Sequence, residues 1–258
     1  MKTPDGRPIE WYSQWFDSTY QKLYRHRDWS EARCFVDWMR NYLSNEASEG
    51  VLDLCCGAGR HAWLMASLNR WPVVGLDLSR HMLTHAIREN QPPGSAKPQF
   101  VQGDLRCLPF APGSFGMVAV LFTSFGYFAT DREHLSALEQ IQPLLRPGGV
   151  LLLDLHNLRP TLDDLVQSDE TEIEGARVIQ TRSYDRETKR IEKRIEIQFN
   201  ISPPRVIRES VRIFAPDEID RLIRNAGFSP AKWIGSYSGD PFLPASSERM
   251  ILIARTDA

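Results

Sequence analysis

Val51-Leu-Asp-Leu-Cys-Cys-Gly-Ala-Gly-Arg60, VLDLCCGAGR, begins with the character of a buried strand and ends in a run of small residues. An acid, Asp53, lies inside the apolar part, and Gly57 and Gly59 follow at a spacing that packing does not call for. A strand that turns through Gly-Ala-Gly into a helix lets the backbone approach a ligand closely and points the helix N–H groups at it. Alone, Gly57-x-Gly59-x-x-Ala62 also fits a dinucleotide-binding turn, and a lone match of that kind is weak.

Working outward, short apolar runs at Val51–Leu54, Val73–Asp77, Gln99–Asp104, Met117–Phe122 and Val150–Leu155 read as strands buried on both faces. Helical spacing separates them. Ser79 is expected to cap a helix bearing Met82, Leu83, Ala86 and Ile87. Asp131 is expected to cap another bearing Leu135, Leu138, Ile141 and Leu145. Pro143 tightens or ends that helix, and Arg146-Pro-Gly-Gly149 turns the chain into the next strand. The alternation predicts an open α/β sheet with right-handed crossovers.

Two regions depart from it. Upstream, Trp11–Tyr24 is dense in aromatics, and Ser30 opens a helix with Phe35, Val36, Met39, Tyr42 and Leu43 in one stripe. Downstream, Glu172–Phe214 alternates with period two, as in an antiparallel meander with one wet face. In Ile191–Phe199 the inner side carries Ile191, Ile195, Ile197 and Phe199, and the solvent side Arg190, Glu192, Arg194 and Glu196. Arg182, Arg186, Lys189, Arg190, Lys193 and Arg194 are read as a solvated face interleaved with acids rather than a substrate patch. Pro216–Ala226 then forms a helix ended by Gly227, with Lys232–Tyr237 and Met250–Ala254 as a terminal strand pair. Three parts are expected: a helical, aromatic cap over residues 1–45, a ligand-binding domain over 46–160 and 215–258, and the meander over 161–214.

A chain of 258 residues, 42% hydrophobic, can bury one substantial core. A formal net charge of −2 lacks the basic excess of a nucleic-acid surface, so no nucleic-acid partner is expected. No apolar run approaches the roughly 18 residues of a membrane span. The opening MKTPDGRPIEWYSQ lacks a signal-peptide core, so a soluble cytoplasmic protein without a membrane partner is expected. Cys34, Cys55, Cys56 and Cys107 make neither a disulfide framework nor a CxxC metal pair, and no metal site is expected. Cys55-Cys56 reads as two small residues filling a tight turn.

The acids separate the ligand classes. Asp53, ahead of the glycines, would crowd a pyrophosphate but suits a cationic amine. Asp77, ending the second strand, can accept from both hydroxyls of a ribose. Asp104, ending the third, can receive an exocyclic adenine amino group, with Leu105 as the apolar edge. Amine, ribose and adenine without phosphate describe S-adenosyl-L-methionine.

The sequence resembles the class I S-adenosylmethionine-dependent methyltransferases over roughly Gly50–Leu155. VLDLCCGAGR resembles their glycine-rich first motif, with Cys55 where many members have the first glycine. VVGLDLS resembles the second motif, VQGDLRCLPF the third, MVAVLFTSFGYF the fourth-strand motif, and LLRPGGVLLLDL the approach to the fifth strand. The layout is most similar to the glycine N-methyltransferase and deoxyaminosugar N,N-dimethyltransferase branch. That resemblance implies a Rossmann-like, mostly parallel sheet with an antiparallel C-terminal strand and the meander inserted as a lid. It places at the cofactor Tyr20, Asp53, Cys55, Gly57, Gly59, Arg60, Asp77, Leu78, Gly103, Asp104, Leu105, Leu121 and Phe122. Tyr20, in a segment upstream that resembles the branch's tyrosine-bearing one, would close over the methionine end.

Displacement at a sulfonium methyl needs an acceptor held in line and water excluded, not a nucleophilic side chain. Phe122, Thr123, Ser124, Tyr127, His156 and Asn157 are the candidates for contacting a small-molecule methyl acceptor through N or O. Tyr127 and His156 are the candidates for a catalytic role, His156 equally for a structural one. Three rivals stay open: methylation of RNA, DNA or protein, a nicotinamide oxidoreductase, and a non-catalytic cofactor-binding homologue. Against nucleic acid, Phe122-Thr-Ser-Phe125 is no Asn-Pro-Pro-Tyr-type loop, and Cys107 follows the third strand. A homodimer is left open.

Overall fold

A computed structural model of the chain describes residues 10–25, 29–68, 71–89, 96–199 and 203–257, so residues 1–9 and 26–28 of the expected cap lie outside it. The elements run α1 (Tyr12–Trp15), α2 (Ser18–Leu23), α3 (Trp29–Tyr42), α4 (Ser44–Ser48), β1 (Val51–Leu54), α5 (Arg60–Ser67), β2 (Val73–Asp77), α6 (Arg80–Glu89) and β3 (Gln99–Gln102). Then follow β4 (Phe115–Val120), α7 (Asp131–Ile141), β5 (Leu145–His156), α8 (Leu158–Asp163), β6 (Ser168–Ile173), β7 (Ala176–Asp185), β8 (Arg190–Gln198), β9 (Arg205–Arg212), α9 (Pro216–Asn225), β10 (Ser229–Ile234) and β11 (Arg249–Arg255).

Seven strands form one sheet in the order β10-β11-β5-β4-β1-β2-β3. β1 to β5 pair in parallel, and β11 inserts antiparallel between β5 and β10. β1, β4 and most of β5 are buried along their length, as continuous apolar runs demand when both faces are covered. One core packs α7 and α9 on one face, through residues such as Leu138, Ile219 and Ile223. The other packs α3 and α5, through Phe35, Met39 and Met65. Each such side chain, fully buried, contributes about 1.5–3 kcal/mol.

Local signals behaved as chemistry requires, with shifts at the ends. Ser79 Oγ accepts from Met82 N at 3.2 Å, the expected cap of α6. The cap of α7 is Thr130 rather than Asp131: Thr130 and Glu133 form a reciprocal capping box that frees Asp131 for an ion pair with Arg212. β3 stops at Gln102, and Gly103 and Asp104 continue past it as a turn. β10 lies three residues earlier than expected, leaving Tyr237 in the following loop.

β6 to β9 form a separate antiparallel sheet in sequence order. Val178, Ile195, Ile197 and Ile207 line its inner face, where Trp15 and Leu23 of the N-terminal helices pack on them. Its basic residues are largely paired, among them Arg182 with Asp169, Lys189 with Glu218, and Arg194 with Glu196. Two residues of β8 and its flank differ from the expected alternation. Phe199 falls beyond the strand and is exposed, and Arg190 is buried because the turn after β4 lies against that end of the outer face.

Candidate active site

A cavity of about 560 Å³ opens beyond the carboxyl ends of β1 to β4. That is the crevice where open parallel sheets take ligands, and the volume falls within the roughly 300–1,000 Å³ of small-molecule sites. Tyr12, Phe16, Tyr20 and Tyr24, from α1, α2 and their flanks, contribute to its wall, with Trp29 of α3. All the sequence-derived candidates for the cofactor line it except Gly59.

The turn after β1 is strained at Cys55. Cys55 adopts φ +58°, and Gly57 and Gly59 adopt +55° and +75°. A left-handed residue with a Cβ costs about 1–2 kcal/mol. Gly57 N donates to Asp77 Oδ2 at 2.7 Å, and Cys56 N to Leu76 O at 3.0 Å, tying the turn to β2. Gly59 corrects the expectation that neither glycine serves packing. A Cβ there would lie 2.8 Å from Phe100 Cζ and 3.1 Å from Ala86 Cβ, so its absence lets α5 settle against α6 and β3.

The three acids meet different environments. Asp53 is buried, and its pKa is pushed up to about 8 by burial and then by the neighbouring Asp77. Its Oδ2 has no hydrogen-bond partner among the described residues. Asp53 lines the cavity, and a buried carboxylate short of a donor there suits a cationic amine. Burial also raises Asp77, against the opposing amides of Ser79 and Gly57. Each of its oxygens keeps acceptor capacity for a hydroxyl. Burial pushes Asp104 up too, but the hydrogen bonds of Arg106 outweigh it, and its pKa ends lowered. Arg106 grips both Asp104 oxygens and reaches Glu10 at 2.6 Å.

Nearby groups stay uncharged. Burial, then Arg60, lowers the pKa of His61 to about 3, so its imidazole is neutral at ordinary pH. Burial raises both Cys55 and Cys56, keeping the pair as thiols. Arg60 lies over the Phe122 ring at 5.4 Å.

Leu121, Phe122, Ser124, Tyr127 and Phe128 line the other half. Tyr127 packs edge-on to Trp11 at 4.7 Å and stacks with Tyr12 and Phe16, both at 6.0 Å. Phe122 and Thr123 both take left-handed backbone, at φ +59° and +63°. Asp154 holds this turn: its Oδ2 accepts from Phe122 N at 2.8 Å and its carbonyl from Thr123 N at 3.0 Å. Arg249 and Tyr237 bond the same carboxylate. None of Asp154, Arg249 and Tyr237 figured in the sequence-derived site; the signal was an acid inside the apolar LLLDL of β5.

His156 does not join Tyr127. It faces a second, more open trough with Thr161, Arg182 and Glu248, and its Nδ1 accepts from Arg249 Nη1 at 3.2 Å. Thr123 is buried with its hydroxyl accepting from Arg249 at 2.9 Å. Asn157 donates its amide to the carbonyls of Pro244 and Ser247 at 3.1 and 2.7 Å, holding a loop rather than facing the cavity.

The N-terminal segment is fastened to both sheets. Ser79 Oγ donates to Phe16 O at 2.6 Å on the large-sheet side. On the small-sheet side, Asp17 pairs with Arg205 at 2.8 Å, Lys193 donates to Tyr24 Oη at 2.6 Å, and Trp15 Nε1 donates to Glu209.

Comparison with known proteins agrees with this geometry. A family described as a methyltransferase domain matches residues 51–149. The chain is 30% identical to a dTDP-3-amino-3,4,6-trideoxy-alpha-D-glucopyranose N,N-dimethyltransferase of Streptomyces venezuelae, over 81% of this chain and 83% of that one. It is also 30% identical to a putative methyltransferase, YqeM, of Bacillus subtilis, over 56% of this chain and only 55% of the relative's length. Among solved structures, SAM-bound CalS10, an amino pentose methyltransferase from Micromonospora echinaspora, superposes with a TM-score of 0.64 at 25% identity, over 92% of this chain and 96% of that one. The dinucleotide reading of the glycine turn is thereby set aside. The chain belongs to the class I S-adenosylmethionine-dependent methyltransferases.

Proposed function

We propose that this protein methylates an amine of a small metabolite, of the aminosugar class named for the Streptomyces venezuelae relative and for CalS10. The observation that carries the reading is one continuous cavity, with buried acids at one end and an aromatic wall under the N-terminal segment at the other. S-adenosylmethionine, when bound, supplies the methyl group on a sulfonium that is also its own leaving group. Asp53 would hold its ammonium, Asp77 its ribose hydroxyls and Asp104 its adenine amino group, each by charge-assisted hydrogen bonds.

Around the acceptor, Tyr127, Phe122 and Ser124 orient the amine, and Tyr20 and its aromatic neighbours exclude water. A neutral amine attacks through its lone pair and loses its proton after transfer, so no base is needed beforehand. Residues 46–160 and 215–258 form the cofactor domain in this reading, with residues 1–45 and 161–214 as its cover. Free Cys34, Cys55, Cys56 and Cys107 support a reducing, cytoplasmic setting. No helix among the described residues is long and apolar enough to cross a membrane.

The test is calorimetry with S-adenosylhomocysteine, followed by methyl-transfer assays on nucleotide-linked aminosugars, small amines, bulk RNA and protein. Binding with methylation of an amine metabolite is expected. Methyl incorporation only into RNA or protein would replace the acceptor class, and binding without any turnover would replace the enzyme by a cofactor-binding homologue.

A further inference from the structure

Arg190 opens β8 where the outer face of the small sheet meets the 3-10 turn Ser124–Tyr127. Its Nη1 donates to Phe128 O at 2.9 Å, and its Nη2 to Ser210 O at 2.8 Å and Gly126 O at 3.5 Å. Its Nε donates to Ser210 Oγ at 2.6 Å. The carboxylate of Glu192 stands 4.0 Å from that Nε and accepts instead from Ser210 Oγ at 2.5 Å. A guanidinium buried on carbonyls rather than on a carboxylate is expensive. What it provides is a planar fork that fixes the oxygens it touches.

The turn comes unusually close to the sheet. A Cβ on Gly126 would lie 2.6 Å from Arg212 O and 2.8 Å from Val211 Cγ1. Arg212, the cross-strand neighbour of Arg190, holds the continuation of the same segment by bonds of 3.2 and 3.4 Å to Asp131. Between these grips lie Tyr127 and Phe128, which line the cavity.

We propose that Arg190 is a positioning residue for the acceptor half of the cavity: by fixing the carbonyls of Gly126 and Phe128, it makes the docked end of the small sheet set where Tyr127 stands. The proposal rests on reading that half as the acceptor's, and its test does not need the acceptor. The protein has seven tyrosines, so 3-fluorotyrosine labelling gives a tractable fluorine spectrum, with Tyr127 assigned through Tyr127→Phe.

In Arg190→Met, the Tyr127 resonance shifts or splits while that of Tyr237 holds. Amides of residues 124–128 exchange at least tenfold faster, and affinity for S-adenosylhomocysteine stays within twofold. Arg190→Lys, which keeps the charge but not the fork, resembles the Met variant at Tyr127. With any amine found to be methylated, the acceptor KM rises at least tenfold and the S-adenosylmethionine KM stays within twofold.

An unchanged Tyr127 resonance and unchanged exchange in folded Arg190→Met overturn the proposal. So does a joint shift of Tyr127 and Tyr237 with loss of S-adenosylhomocysteine affinity, which marks general loosening. If Arg190→Met does not fold, Ser210→Ala, which removes the partner of Nε but keeps Arg190, is read by the same criteria. Should these signatures appear while no amine is methylated, the acceptor reading fails and the positioning role stands.

Discussion

Arg249 of β11 closes on Asp154 of β5, with Nε and Nη2 both donating to Oδ1 at 2.9 and 2.6 Å and both side chains buried. The register pairs Arg249 with His156 and Ile251 with Asp154, so the guanidinium leans diagonally along its own strand to reach the acid. The other Asp154 oxygen carries Phe122 N and Tyr237 Oη, each at 2.8 Å. The pair therefore props two consecutive left-handed residues at the cavity wall.

Removing one partner of that pair leaves a charge in the core. Arg249→Met is expected to lower stability by about 3–5 kcal/mol in urea unfolding. Adding Asp154→Asn should recover part of the loss, because the orphaned carboxylate is gone. A single variant as stable as the wild type would show that the pair does not hold the turn.

Asp53 gives the ligand-free protein a pH dependence of unusual sign. Its folded pKa, about 8, lies above the unfolded value, so its contribution to stability is full below about pH 4 and is lost as pH rises toward 8. Asp53→Asn without ligand should match the wild type near pH 4 and exceed it at pH 8 by several kcal/mol, at about 1.4 kcal/mol per pH unit between the two pKa values. A cationic ligand selects the ionised form, so affinity for S-adenosylhomocysteine should rise from pH 6 to 8 in the wild type and stay flat in the variant. Calorimetry in buffers of different ionisation enthalpy would reveal the released proton.

Asp77→Ala should weaken cofactor binding by about 2 kcal/mol, near thirtyfold, if two hydrogen bonds to ribose hydroxyls are lost. Unchanged affinity in a folded variant refutes the ribose assignment.

The glycine turn offers two substitutions of opposite sign. Cys55→Gly relieves the left-handed Cβ but frees the unfolded chain, for a net gain of roughly 0.5–1 kcal/mol. Gly59→Ala adds a Cβ at φ +75° against Phe100 and Ala86 and should cost about 2 kcal/mol or more. Combining it with Phe100→Leu should return the steric part of that cost. Thermal or urea unfolding reads both.

The end proposed for the cofactor was legible where its residues are locally conspicuous: an acid in an apolar strand, or a glycine where a strand must turn. Asp53, Asp77 and Asp104 thus came together as expected. The acceptor end depends on which segments meet across the chain, and period-two alternation does not carry that. Alternation assigned Arg190 to the wet face correctly in phase, but not the turn that covers that end of it. His156 ends the right strand yet faces Arg249 and the second trough, because strand ends alternate their side chains between two surfaces. Gly59, read as a ligand glycine, also proved to be a close contact with Phe100 of β3 and Ala86 of α6, which a sequence does not display.

The placement of β11 has a consequence for how the protein is made. β5 leaves the ribosome with one flank unpaired, and α8, the whole small sheet, α9 and β10 emerge before its remaining neighbour does. β10 has no edge to join until then, since β11 is the strand between them. A nascent chain stalled before Arg249 would display the open side of β5 and lack the cation that anchors Asp154, a state prone to edge-to-edge association. The large sheet is thus completed by a strand that slots inside it, one place in from the edge.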